Sequence, residues 1–154
     1  MRNPICEEYD RLTATGDSSG SDCGGNALPS NTPKQQSNCD TETTAKLRLH
    51  YQKPYFLPAD SESSGTDWIF MGNPGHGAFM HIDNVRYQSW QYQVAGRKKW
   101  IVRPPPECYY YCPASKIEVV LEPGDILVID TNLWYHGTEA LGPDLSISIG
   151  SEFD

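Results

Sequence analysis

Residues 89–106 read SWQYQVAGRKKWIVRPPP. Two alternating runs flank Ala95-Gly96-Arg97, which reads as a hairpin loop. Alternation with a period of two puts successive side chains on opposite faces of an extended chain. The three prolines at 104–106 end the second run, because proline cannot donate to a sheet ladder. This stretch therefore reads as two antiparallel strands and a tight turn.

The same grammar extends in both directions. LRLHY, DWIFMG, AFMHI, KIEVVL, DILVID, LWYHGTE and LSISIGSEF are short and rich in β-branched and aromatic residues, and turn residues punctuate them. EPGD at 122–125 places Pro before Gly, as a type II turn requires. No run sustains a 3.6-residue period, and no internal repeat is visible. The pattern predicts an all-β sandwich or barrel. Residues 1–45 differ: they are rich in Ser, Thr, Gly, Asn, Asp and Gln and carry too little apolar surface to offset the entropy of ordering. They read as a disordered low-complexity tail, and 46–154 as the folded domain.

The chain has 154 residues, enough for one core, and a formal net charge of −8. Such an acidic chain is poorly suited to direct nucleic-acid binding, which needs clustered Lys and Arg. It suits a protein or peptide partner better. No run is long enough to span a membrane, and MRNPICEEYD has no apolar signal region. That reading favours an intracellular protein, in nucleus or cytoplasm. The five cysteines have no regular spacing, and Cys108 and Cys112 either pair or simply pack.

GAFMHIDNVRY, residues 77–87, places His81 and Asp83 two residues apart, on one face if the segment is extended. The pair is either a hydrogen-bonded couple or part of a metal site. His136, in LWYHGTE, is a third candidate ligand. Two imidazoles and a carboxylate are the ligand set of the facial triad that holds non-haem Fe(II).

With these motifs in order, the sequence resembles the JmjC (jumonji C) family of Fe(II)- and 2-oxoglutarate-dependent oxygenases, nearest to its small protein-hydroxylase branch. DWIFMGNPGHGAFMHID looks like the family's strand, Gly-rich loop and His-x-Asp; SWQYQVAGRKKWIVRPPP looks like its Trp, Gly, Lys and Trp hairpin; LEPGDILVIDTNLWYHGT looks like its Pro-Gly-Asp turn leading to the second His. The match runs from about Trp68 to Phe153. It implies a double-stranded β-helix, a cupin-like jelly-roll barrel, with iron on His81, Asp83 and His136. It assigns Lys98 to the distal carboxylate of 2-oxoglutarate and brings the Gln91 amide near the same cosubstrate. Lys99, one residue on, should face the other way. Trp90, Trp100 and Trp134 are expected to pack the barrel. The implied activity uses O₂ to hydroxylate a protein or peptide side chain, or to demethylate one through N-methyl hydroxylation. The resemblance leaves a homodimer open.

The sequence departs from the family at Ala78, where relatives often carry a hydroxyl residue, and at Gly150 and Glu152 near the last strand. Upstream, where relatives have further strands and helices, this chain has its low-complexity segment, so the domain reads as truncated on its N-terminal side. Two other readings therefore stand beside the oxygenase: a cupin-like metal-binding protein that does not use 2-oxoglutarate, and a non-catalytic JmjC-like interaction module.

Overall fold

A computed structural model describes residues 34–38, 41–58, 61, 67–108, 110–112 and 116–154. Eight strands, a short helix and one turn of 3-10 helix make up its regular structure: β1 (Lys34–Asn38), α1 (Thr41–Leu47), β2 (Asp67–Gly72), β3 (Gln88–Ala95), β4 (Arg97–Arg103), β5 (Ile117–Leu121), β6 (Ile126–Ile129), β7 (Tyr135–Leu141) and β8 (Ser146–Phe153), with the 3-10 turn at Pro106–Cys108. They form a five-stranded sheet in the order β1-β2-β8-β3-β6 and a three-stranded sheet in the order β5-β4-β7, with every pairing antiparallel. This is the expected all-β, double-stranded β-helix. The expected β3–β4 hairpin is corrected: Gly96, with φ of 64°, turns the chain between the two strands, but β3 pairs with β8 and β6 in one sheet and β4 with β5 and β7 in the other, so the turn crosses from sheet to sheet. Gly124, in the Glu122–Asp125 turn, has φ of 103°.

The start of regular structure differs from expectation. β1 pairs with β2, and α1 runs across the boundary set at residue 46. Residues 1–33 and 39–40 of the proposed tail lie outside the described residues. LRLHY is not a strand: Leu47 closes α1, and Arg48 N–H still donates to Thr44 C=O at 3.0 Å. Turns continue the chain past the helix, with Leu49 N–H donating to Lys46 C=O at 3.1 Å and His50 N–H to Leu47 C=O at 3.0 Å, and Leu47 and Tyr51 both join the apolar core. Between them Arg48 donates through Nε and Nη2 to the two oxygens of buried Asp67, each at 2.9 Å. Tyr51 Oη donates to the same carboxylate at 2.6 Å, and this clamp ties the segment after α1 to β2.

Alternation divides the five-stranded sheet into two unlike faces. Ile69, Ile149, Tyr92 and Ile126 form one row across β2, β8, β3 and β6. With Trp90 and Ile147 they pack under Leu47, Tyr51, Phe56 and Leu57 as the main core. The opposite face carries Trp68, Phe70, Gln91, Ser148 and Gly150, and it looks toward the three-stranded sheet. The space between the sheets is a cavity of about 570 Å³ rather than packed hydrocarbon. Among the described residues no helix is long and apolar enough to cross a membrane.

Candidate functional site

β7 carries one wall of the cavity. On its other edge from β4 runs the segment that precedes β3. Ala140 N–H donates to His76 C=O at 2.8 Å, and Thr138 N–H to Ala78 C=O at 3.0 Å. His81 and His136 then exchange both backbone hydrogen bonds at 2.9 Å. The residue numbers of the first two contacts sum to one register and the third is offset by one, so an extra residue bulges between Ala78 and His81. The bulge re-aims His81 onto the face that carries His136. Gly77 lies so close to β7 that a Cβ there would sit 1.6 Å from Thr138 C=O. The glycine thus permits the approach that brings the two histidines together.

The imidazoles of His81 and His136 lie with ring centroids 4.3 Å apart. Asp83 reaches between them, with Oδ1 at 3.1 Å from His81 Nε2 and Oδ2 at 3.6 Å from His136 Nε2. One ligand atom from each of the three lies within 4.8 Å of the others. Each ring is oriented from behind: His81 Nδ1–H donates to Phe79 C=O at 2.6 Å and His136 Nδ1–H to Trp134 C=O at 3.0 Å. Those carbonyls can only accept, so each Nε2 is left as the free lone pair of a neutral ring. Two such nitrogens and a carboxylate converging on one point need a cation between them, or a proton on a ring. The hydrogen bond to Asp83 raises the His81 pKa, whereas burial lowers that of His136. Burial pushes Asp83 upward, but its hydrogen bond with His81 and the neighbouring His136 leave it below the usual carboxylate range. The donor set fits a divalent metal of the harder kind, held by nitrogen and oxygen with open positions toward the cavity.

A second polar feature lies deeper. Lys98 faces inward from β4 and is 7 % exposed. Its Nζ donates to Gln91 Oε1 at 2.8 Å and to Ser148 Oγ, both from the facing sheet. Ser148 in turn donates to Gln91 Oε1 at 3.0 Å. No carboxylate pairs with this ammonium among the described residues, and burial alone pushes its pKa down to about 7. Lys99 points outward to Glu139 at 2.5 Å. Both Lys98 and Gln91 line the cavity that also contains His81, Asp83 and His136.

The remaining residues sort by face. Trp100 lies inside, stacked on His136 at 5.6 Å between centroids, while Trp90 packs near Tyr51 at 6.0 Å and Trp134 is half-buried. Glu152 does not confront the cavity as a bare charge: its Oε2 accepts the N–H groups of Arg86 and Tyr87 at 3.2 and 3.3 Å. Gly150 leaves no room for a side chain, because a Cβ would meet Trp90 C=O at 2.6 Å. His76 is exposed at the cavity rim, and His50 is exposed elsewhere. Cys108 and Cys112 are free thiols on one turn. Sequence reasoning missed Thr131, whose C=O accepts Asp83 N–H at 3.0 Å and whose hydroxyl also bonds Asp83. Its only signal was its place in the Asp-Thr-Asn turn before β7.

No protein-family model matches the chain. Among curated proteins it is 25% identical over 126 residues to "Arginine-specific demethylase JMJ20" of Arabidopsis thaliana, covering 66% of this chain and 27% of that protein. It is 26% identical over 107 residues to "2-oxoglutarate and iron-dependent oxygenase JMJD4" of Gallus gallus, covering 53% and 25%. These matches support a JmjC-type oxygenase family for the chain. Among solved structures it resembles YcfD, a ribosomal oxygenase from Escherichia coli, at 31% identity and a TM-score of 0.42, over 56% of this chain and 22% of that one. The chain spans only about a quarter of the length of the curated relatives it matches, 27% and 25% in the two cases given.

Proposed function

We propose that the chain is the core of an Fe(II)- and 2-oxoglutarate-dependent dioxygenase that hydroxylates a protein or peptide substrate, or demethylates one by hydroxylating an N-methyl group. One observation carries this reading: a buried ammonium without a carboxylate shares one cavity with a converging His-Asp-His set. A charge that has lost water needs an opposite charge or it neutralises. Gln91 and Ser148 give Lys98 neutral oxygens only, so an incoming carboxylate is the missing partner.

In this reading His81, Asp83 and His136 hold the iron by Nε2, Oδ and Nε2. Bound iron and 2-oxoglutarate supply O₂ activation, with the cosubstrate oxidised to succinate and CO₂. The chain's own residues orient and exclude water. Phe79 and Trp134 carbonyls fix the two ring tautomers, Thr131 steadies Asp83, and Lys98 with Gln91 and Ser148 sets the depth to which a dicarboxylate enters. The cavity volume falls within the range of roughly 300–1,000 Å³ usual for small-molecule sites. Substrate would approach from the His81 side, where Phe79 is 87% exposed. The named relatives include an arginine-specific demethylase, which fits a protein substrate.

The test is anaerobic titration with Fe(II), then 2-oxoglutarate, watching for the visible metal-to-ligand charge-transfer band. The band is expected in the unaltered protein and absent in His81→Ala and Lys98→Ala. Iron binding without any band would leave the metal-binding reading standing and remove the oxygenase. A protein that binds no iron would leave the interaction module.

A further inference from the structure

Cys108 and Cys112 lie apart from the His81–Asp83–His136 cavity, and the oxygenase reading leaves them unused. β4 ends at Arg103, three prolines follow, and the 3-10 turn closes on Cys108. The chain then keeps turning: Tyr111 N–H donates to Cys108 C=O at 2.9 Å, and Cys112 N–H donates to the same oxygen at 2.7 Å. A bond from residue i+4 back to residue i is one turn of helix, and it sets both side chains on one side of that turn. The two thiols meet there and hydrogen-bond to each other. Neighbours at this spacing have Cβ atoms roughly 5–6 Å apart, and a disulfide needs about 3.5–4.5 Å, so a shift of about 1 Å in the turn would join them.

The surroundings suit a reactive pair of thiols rather than a packed one. Both cysteines are half-buried, and with Arg103, Lys116 and the three prolines they line an open cavity of about 380 Å³. Thiols that exchange sit in partly exposed, electropositive places, whereas inert ones are buried in apolar surroundings. Lys116 is shared with Glu118, while Arg103 makes no ion pair among the described residues. The hydrogen bond to Cys108 holds the Cys112 thiol above its usual range. Cys108 is therefore the sulfur that attacks first, and Cys112 follows.

We propose that Cys108 and Cys112 form a thiol–disulfide exchange site whose partner is a small disulfide bearing carboxylates. The Cys108 thiolate attacks one sulfur of that disulfide, which breaks the S–S bond, releases one thiol and leaves a mixed disulfide on Cys108. Cys112 then gives up its proton and attacks Cys108 Sγ, which forms the Cys108–Cys112 bond and releases the second thiol. The dithiol loses two electrons and two protons, and the partner gains them as two thiols. Arg103 and Lys116 offer the cations that the partner's carboxylates need. The exchange uses no residue of the iron site and stands independently of the oxygenase reading.

The experiment incubates the reduced full chain with glutathione disulfide, quenches with acid, alkylates the remaining thiols and reads the tryptic peptide 100–116 by mass spectrometry. That peptide holds Cys108 and Cys112 and no other cysteine. The unaltered protein is expected to yield the peptide lighter by two hydrogen atoms and unalkylated, and excess reduced glutathione should return the dithiol. Cys112→Ser should trap a glutathione adduct on Cys108, and Cys108→Ser should form its adduct on Cys112 about tenfold more slowly. The native chain should prefer glutathione disulfide to cystamine, a disulfide carrying amines instead of carboxylates, and Arg103→Gln should narrow that preference by about tenfold. Adducts on both cysteines without the internal bond would overturn the proposal. So would thiols that react no faster in the native chain than in urea. Equal or faster reaction with cystamine in the native chain would overturn the anionic partner.

Discussion

The two faces of the five-stranded sheet come from the same strands, yet they do opposite work. On β8, Ile147 and Ile149 enter the core under Leu47 and Phe56, while Ser146, Ser148 and Glu152 turn to the cavity side. On β3, Trp90 and Tyr92 pack outward and Gln91 and Gln93 point inward. The main packed core of this protein therefore lies on the outer face of the five-stranded sheet, and the inner face sets a few polar groups among aromatic walls such as Trp68, Phe70 and Trp100. A buried lysine met only by a glutamine and a serine adds little stability and is a good receptor for a small anion. Stability and binding are separated by a single-residue step along each strand.

That separation can be broken experimentally. The largest stability effect should come from the packed face. Ile149→Ala removes a side chain that is 0% exposed and should cost about 2–5 kcal/mol in urea unfolding, with the usual spread for large-to-small core changes. If it costs no more than a cavity-face change, the division of labour is wrong.

Lys98→Met tests the other face and should move stability in the opposite direction. Replacing an ammonium that has only neutral partners by a similar apolar side chain removes its desolvation penalty, while Gln91 and Ser148 keep their bond to each other, so the ligand-free protein should be more stable. The same change should abolish 2-oxoglutarate binding. A destabilised Lys98→Met would mean that Gln91 and Ser148 already satisfy the lysine and that no anion is missing.

The smallest effect is a pH slope. An ordinary lysine titrates near 10.4, but burial brings Lys98 down to about 7. The charged form that attracts a carboxylate is complete below that value and is lost above it. Affinity for 2-oxoglutarate should thus be greatest below about pH 7 and fall as pH rises, by at most about tenfold per unit, since binding must then recapture a proton. Calorimetry in buffers of different ionisation enthalpy should show proton uptake at pH 8. Uptake that is unchanged in Lys98→Arg would assign the proton elsewhere.

Much of the fold was legible because period-two runs and turn residues report local geometry. Strands β3 and β4 and the Gly96 turn needed only alternation and a glycine, but that the turn carries the chain from one sheet to the other, rather than closing a hairpin, was not legible. The opposite orientations of Lys98 and Lys99 followed from the same rule. Leu47–Tyr51 misled because five residues of mixed pattern suit a strand or a helical turn, and only the waiting core and Asp67 decide between them. Trp90 and Trp100 are buried as packing residues, but the sequence left their neighbours open. Alternation says that Trp90 and Trp100 each have a face, but not that one faces Tyr51 and the other His136.

The local order of residues was enough to specify strands, turns, and the His81–Asp83 pair, because these depend on neighbours two to four positions apart. His136 was legible only as a candidate, since 55 residues separate it from His81 and no local rule spans that distance. Tertiary pairing with β7, the bulge before His81 and the bare Cα of Gly77 decide that the two rings meet. The same pairing decides that Glu152 serves the N–H groups of Arg86 and Tyr87, and that Lys98 meets Gln91 and Ser148 of the facing sheet. A linear pattern assigns each side chain to a face of its own strand; only the packing of one sheet over another decides what that face meets.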